Sequence, residues 1–128
     1  MARDAQLWIM VDIETSGPHI GTHSMTELGA VVGSLKEGVA AAEAMKRFAA
    51  WSAPYLKKKA LFVARPAAFD WPWIVWYAWT YLGENPFGFK SVCASSWFQA
   101  KGKRFEVDLP HVAVQDAEIQ LHHFVRES

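Results

Sequence analysis

Asp12 and Glu14 stand two residues apart at the end of a continuous apolar run, Leu7-Trp8-Ile9-Met10-Val11. Residues at that spacing on a strand project to the same face, so two carboxylates meet at the end of a buried strand. They repel each other unless they are protonated or bridged by cations. A hard divalent ion such as magnesium or manganese favours oxygen ligands and resolves the conflict. A solvated Asp-x-Glu pair needs no ion, so the pair gains weight only from further carboxylates brought to the same place. Asp70 is one candidate. It follows a second short apolar run, Ala60-Leu61-Phe62-Val63-Ala64, and its flanks, Phe69 and Trp71, are apolar. The carboxyl ends of adjacent strands are where ligands collect in open α/β sheets. Its simpler alternative is a helix N-cap, because Pro72 suits a first helical turn. Asp116 lies among Ala113, Val114 and Ala117 on a face that should pack against the sheet, where an unpaired carboxylate is costly without a cation. His111 precedes it by five residues, about 140° away in helical projection. The two share a cavity only if His111 stays in the loop after Pro110 and the helix begins just beyond it.

The elements that must position these side chains can be read from periodicity. Leu7 to Val11 reads as a strand buried on both faces and therefore central. Thr15-Ser16-Gly17-Pro18 breaks it, and Met25 to Val32 returns antiparallel, followed by a turn over Gly33 to Gly38. From about Ala40 helix formers dominate, and Ala41, Met45, Phe48 and Ala49 share a face of a helix that ends near Pro54 or continues to the lysines beyond. Ala60 to Ala64 is a buried strand closed by Arg65-Pro66. Trp73, Trp76, Tyr77 and Thr80 then repeat at helical spacing up to Gly83. Phe89 to Cys93 reads as a last strand, Ser95 to Ala100 as a short helix, and Lys101 to Pro110 as a loop with an extended piece at Phe105-Glu106-Val107. A final helix turns Ala113, Ala117, Gln120, Leu121 and Phe124 inward. Strands alternating with helices after an opening hairpin predict an α/β domain with a mixed sheet.

Composition bounds what this domain can be. At 128 residues one core suffices, and a single domain over residues 1–128 is expected. Apolar runs fall well short of the ~20 residues needed to cross a bilayer, so no membrane partner is expected. Met1 to Gln6 reaches polar residues where a secretory signal needs an apolar stretch, which predicts no export. The lone Cys93 excludes an internal disulfide framework and suits a reducing cytoplasm. Thirteen basic residues balance thirteen acidic ones, so global charge alone would not suggest nucleic acid. The local clusters Lys57-Lys58-Lys59 and Lys101, Lys103, Arg104 could touch phosphates or simply be a solvated helix end and turn.

Three ordered segments resemble the DEDDh branch of 3′–5′ exonucleases, a ribonuclease H-like group. Val11-Asp12-Ile13-Glu14-Thr15-Ser16-Gly17-Pro18 looks like its first motif, Phe62 to Asp70 its second, and His111-Val112-Ala113-Val114-Gln115-Asp116-Ala117 its third. The H-x-x-x-x-D spacing separates this branch from its tyrosine counterpart. Glu43 to Trp51 and Leu82 to Phe89 look most like small stand-alone bacterial exonucleases, some regarded as exoribonucleases. The resemblance implies a ribonuclease H-like mixed sheet flanked by helices. It implies two divalent cations, Mg²⁺ or Mn²⁺, with Asp12 bridging both, Glu14 and Asp116 completing the nucleophile-side ion, and Asp70 supporting the site directly or through water. His111 would take the proton from the attacking water, a role suited to histidine as a residue type, whose unperturbed side chain titrates near neutrality. Hydrolysis would release nucleoside 5′-monophosphates from single-stranded or short nucleic acid, with RNA placed ahead of DNA. Thr15, Ser16, Gly17 and Trp71 would contact the substrate, Trp71 through a terminal base.

The chain departs from that family pattern in one region. Only Gly33 to Ala42 joins the second strand to the first helix, so a third antiparallel edge strand is expected to be shortened or missing, with part of the substrate groove and any dimer contact built on it. Cys93 stands where relatives often place an Asp that is not a metal ligand. Trp73, Trp76 and Trp79 could pack on the sheet, stack on bases, or form an oligomer contact such as a homodimer. His19 and His23 could approach phosphates or be solvated, and His122 and His123 should cover the last helix. The rival readings are a DNA proofreading or repair exonuclease and a catalytically silent nucleic-acid-binding module. Clustered carboxylates, costly to keep, argue against silence.

Overall fold

The computed structural model of the protein describes residues 8–31 and 41–127. Over these, the apolar runs and helical faces become β1 (Trp8–Thr15), β2 (Met25–Val31), α1 (Ala41–Lys57), β3 (Leu61–Ala64), α2 (Ala67–Leu82), β4 (Ser91–Cys93), α3 (Ala94–Ala100) and α4 (Ala113–Glu127). The strands form one sheet in the order β2-β1-β3-β4. β2 runs antiparallel to β1, while β1 with β3 and β3 with β4 are parallel. This is the mixed α/β arrangement expected of a ribonuclease H-like domain. No third antiparallel strand lies beyond β2 among the described residues. The turn expected over Gly33–Gly38, and the strand ends at Leu7 and Val32, lie outside them.

β1 is continuously apolar from Trp8 to Val11 because both faces of that stretch are covered. Ile9, Val11 and Ile13 join Met45 and Phe48 of α1 and Trp73, Ile74, Tyr77 and Ala78 of α2. On the opposite face Met10 and Val63 pack with Phe98 of α3 and with Ala117 and Phe124 of α4. Alternation along a strand therefore places Asp12 and Glu14, in phase with Met10, beneath α4.

Several boundaries differ from the sequence reading for identifiable reasons. α1 runs through Pro54 to Lys57. α2 begins at Ala67, with Pro66 at its N-cap, and takes Pro72 into its interior. Pro72 has no N–H, so the Ala68 carbonyl lacks its usual intrahelical donor. Asp70 consequently lies within the first turns and is not the N-cap. Gly83, left-handed at φ 71°, ends the helix where expected. The segment Phe105–Val107 pairs with no strand. It is pinned instead by the Phe105 ring, 4.9 Å from Phe98 and 4.7 Å from His123, and by its carbonyl, which accepts from Arg65 Nη1 at 2.9 Å. Of the four α2 tryptophans only Trp73 is buried; Trp71 is half-buried, and Trp76 and Trp79 face outward. Among the described residues no helix is long and apolar enough to cross a membrane.

Candidate active site

The site is built where β1 emerges from the core. Register pairs Asp12 with Gly29 and Glu14 with Glu27 across the β1–β2 ladder. A Cβ on Gly29 would collide with the backbone of Ala113 and Val114, so the first turn of α4 lies directly on β2 at a point only glycine leaves open. Glu27 Oε2 accepts the Ala113 N–H at 2.9 Å, satisfying the first amide of that helix.

His111 sits one residue before the helix N-cap region, in the left-handed conformation at φ 62°. Its N–H donates to Asp116 Oδ1 at 3.0 Å, which ties the loop to the first turn. The condition for a shared cavity is therefore met. Ligand atoms of Glu14, His111 and Asp116 all lie within 4.8 Å of one another. The histidine is exposed, Glu14 is half-buried, and Asp116 is buried.

Asp12 and Asp70 lie deeper. Asp70 Oδ2 accepts the Ile13 N–H at 3.2 Å. Asp12 Oδ1 accepts from Gln120 Nε2 at 3.2 Å, while its Oδ2 is buried with no partner. Burial pushes the Asp12 carboxyl up to about 8, with repulsion from Asp70 and Asp116 adding to it and the Gln120 amide opposing. Burial likewise raises Asp70 to about 7 against the opposing Ile13 N–H. Glu14 is raised too, first by burial and then by the charge on Asp116. These carboxyls are short of positive charge. An orphaned buried oxygen beside a cluster of carboxylates fits a hard divalent cation, which would let them ionise.

The other residues expected to contact substrate are held by local bonds of their own. Thr15 Oγ1 donates to the Gly17 carbonyl at 2.8 Å, and Ser16 exchanges hydrogen bonds with the Ser24 backbone at 2.8 and 2.9 Å. Gly17 lies against the His23 ring, which would collide with any Cβ there. Within the same loop the His19 N–H donates to His23 Nδ1. Trp71 is half-buried, its ring 4.8 Å from Phe62. Among the basic residues, Lys101 lies 5.1 Å over Trp97 and Lys103 donates to the Glu127 carbonyl. Three residues went unrecognised as parts of the site: Glu27, Gly29 and Gln120. Only Gln120 carried a signal, since an amide on an inward helix face requires a partner.

Fold and cluster together define an α/β domain whose central strand and last helix gather carboxylates and an imidazole at one end of a mixed sheet. No family model matches the chain. It is 30% identical to the "3′-5′ DNA exonuclease Cap18" of Escherichia coli over 132 residues, covering 77% of this chain and 71% of that relative. The chain belongs to the 3′–5′ exonuclease family. Because 77% of a 128-residue chain is shorter than the match, the relative has residues within the matched region for which this chain has none.

Proposed function

We propose that the protein is a metal-dependent exonuclease of DEDDh type that hydrolyses the 3′-terminal phosphodiester of single-stranded nucleic acid and releases a nucleoside 5′-monophosphate. The observation that carries this reading is the Glu14, His111 and Asp116 cluster within 4.8 Å, set beside the unpartnered Oδ2 of Asp12. Asp12, Glu14 and Asp116 would hold the divalent cations, with Asp70 supporting them. When bound, two such ions supply positive charge to the attacking and leaving oxygens of an in-line displacement.

The protein's own groups do the rest. His111, exposed at the rim, accepts a proton on a ring nitrogen from the water that attacks phosphorus. The P–O3′ bond breaks, and the 3′ oxygen leaves and takes up a proton from solvent. Its N–H bond to Asp116 fixes the histidine beside the acidic cluster. Thr15 at the end of β1, Ser16 and Gly17 in the loop that follows, and Trp71 next to Asp70 would contact the terminal nucleotide.

The sequence put RNA ahead of DNA; the name of the Escherichia coli relative, a 3′-5′ DNA exonuclease, supports DNA first. Matched 5′-labelled single-stranded DNA and RNA incubated with Mn²⁺ or Mg²⁺ distinguish the two. Stepwise shortening from the 3′ end, faster on DNA and absent with EDTA or with Asp12→Ala, is expected. A wild-type protein that shortens neither substrate, or an Asp12→Ala variant as active as wild type, rejects the reading.

A further inference from the structure

Gln120 is 1% exposed on α4, and a buried primary amide is costly unless both its ends are bonded. Only one is: Nε2 donates to Asp12 Oδ1, while Oε1 is buried without a partner. An apolar side chain of the same length would fill the position without that loss, so packing does not account for an amide here. The fit of helix to strand does. Asp116 and Gln120 are one turn apart on α4, about 6 Å along its axis. Asp12 and Glu14 are two apart on β1, about 6.6 Å. The pairs therefore meet rung by rung, Asp116 beside Glu14 and Gln120 beside Asp12. On the inner rung an amide donor faces the carboxylate where the outer rung sets acid against acid. Occupying Oδ1 leaves Oδ2 as the oxygen free to ligate.

We infer that Gln120 is a positioning residue, which anchors Oδ1 of Asp12 so that Oδ2 is presented to a divalent cation. This rests on the nuclease reading for its catalytic consequence, but not for its effect on cation binding. Gln120→Met keeps the length of the side chain and removes the donor; Gln120→Asn keeps the donor and withdraws it by one methylene. Three measurements are made on each full-length variant: Mn²⁺ affinity by calorimetry without substrate, melting temperature in EDTA, and kcat and KM on a labelled oligodeoxynucleotide. Both variants are expected to melt in EDTA within a few degrees of wild type, to bind Mn²⁺ about 10- to 100-fold more weakly, and to lose kcat with KM nearly unchanged. Wild-type Mn²⁺ affinity in Gln120→Met overturns the inference, as does full recovery in Gln120→Asn, which would mean that any buried amide suffices. Should Gln120→Met not fold, Gln120→Asn decides by the same affinity. A wild type that binds no Mn²⁺ overturns it as well. If wild type binds Mn²⁺ but leaves DNA intact while the variants bind weakly, the nuclease reading fails and the positioning role stands.

Discussion

Asp116 and Asp70 are carboxylates of similar burial, 1% and 3% exposed, each delivered to the same end of the sheet by the start of a helix. They are held in opposite ways. Asp116 is fixed by its own neighbourhood: it accepts the N–H of His111, five residues away, and its helix is seated on β2 through Glu27 and Gly29. Asp70 is fixed across the fold, by the amide of Ile13 on β1, 57 residues away. Whatever shifts β2 therefore moves Asp116 and His111 together, whereas Asp70 follows β1. One carboxylate is coupled to His111, the proposed base, and the other to the strand that carries Asp12 and Glu14.

The largest effect should separate these two. Asp116→Asn weakens a member of the close cluster and disturbs the bond that places His111, and is expected to cost on the order of 10³-fold in kcat/KM, equivalent to several kcal/mol of lost charge stabilisation. Asp70→Asn removes a charge whose oxygen is already engaged by Ile13, and a supporting role predicts a loss of about 10- to 100-fold. Steady-state kinetics on one labelled oligodeoxynucleotide compares them. Equal losses would place Asp70 among the direct ligands and erase the distinction.

The same contrast explains what could be read beforehand. The fold class and the hairpin were legible because the apolar run ending in Asp12 and the residues around Leu28 have only one way to be buried. The Asp116–His111 relation was legible as a condition, helix start after His111, because only local chain geometry was involved. Asp70 came from its place in a motif; its bond to Ile13 depends on how α2 docks, which no local pattern encodes. Glu27 and Gly29 were invisible for a related reason. Their partner, the first turn of α4, lies 86 residues from Glu27 in the chain. Pro72 misled outright: it read as a helix start because proline favours that position, yet the packing of Trp73, Ile74 and Tyr77 sustains a helix that begins five residues earlier.

Next in size is the seat of α4. Gly29→Ala forces a methyl group against the Ala113 and Val114 backbone, and neither can yield without moving the helix. A loss of about 1–3 kcal/mol is expected from such overpacking, together with reduced activity because His111 and Asp116 move with the helix. Urea unfolding and kinetics on the same preparation check both. A loss of stability with full activity would show that the cluster tolerates displacement of α4 and that the seat does not position it.

Proton linkage probes the deeper pair. Asp12 at about 8 and Asp70 at about 7 in the folded protein stand above the ordinary 3.8, so between those values the folded state binds more protons than the unfolded chain. Stability from these groups is fully present below about pH 4 and is lost as pH rises through 7 to 8. In EDTA the melting temperature should fall across that window, and Mn²⁺ should raise it more at about pH 8 than at about pH 6, where protons still compete for the carboxylates. A melting temperature that rises with pH in EDTA would mean that the pair is already compensated.

The smallest effect tests whether Glu27 belongs to the scaffold or to the cluster, since it faces Glu14 across the ladder and also bonds the first amide of α4. Gln keeps an oxygen for the Ala113 N–H and removes the charge that favours a helix N-terminus. Glu27→Gln should therefore cost about 0.5–1 kcal/mol of stability, read as a melting temperature lower by about 2–5 °C. Its effect on kcat/KM should stay within about threefold, because the hydrogen bond that seats the helix survives. The same substitution takes a negative neighbour away from Glu14, whose carboxyl it helps to raise, so the slight loss in stability should come with no loss of Mn²⁺ affinity. A fall in affinity comparable to that of Asp116→Asn would make Glu27 a cation-facing residue and extend the site onto β2.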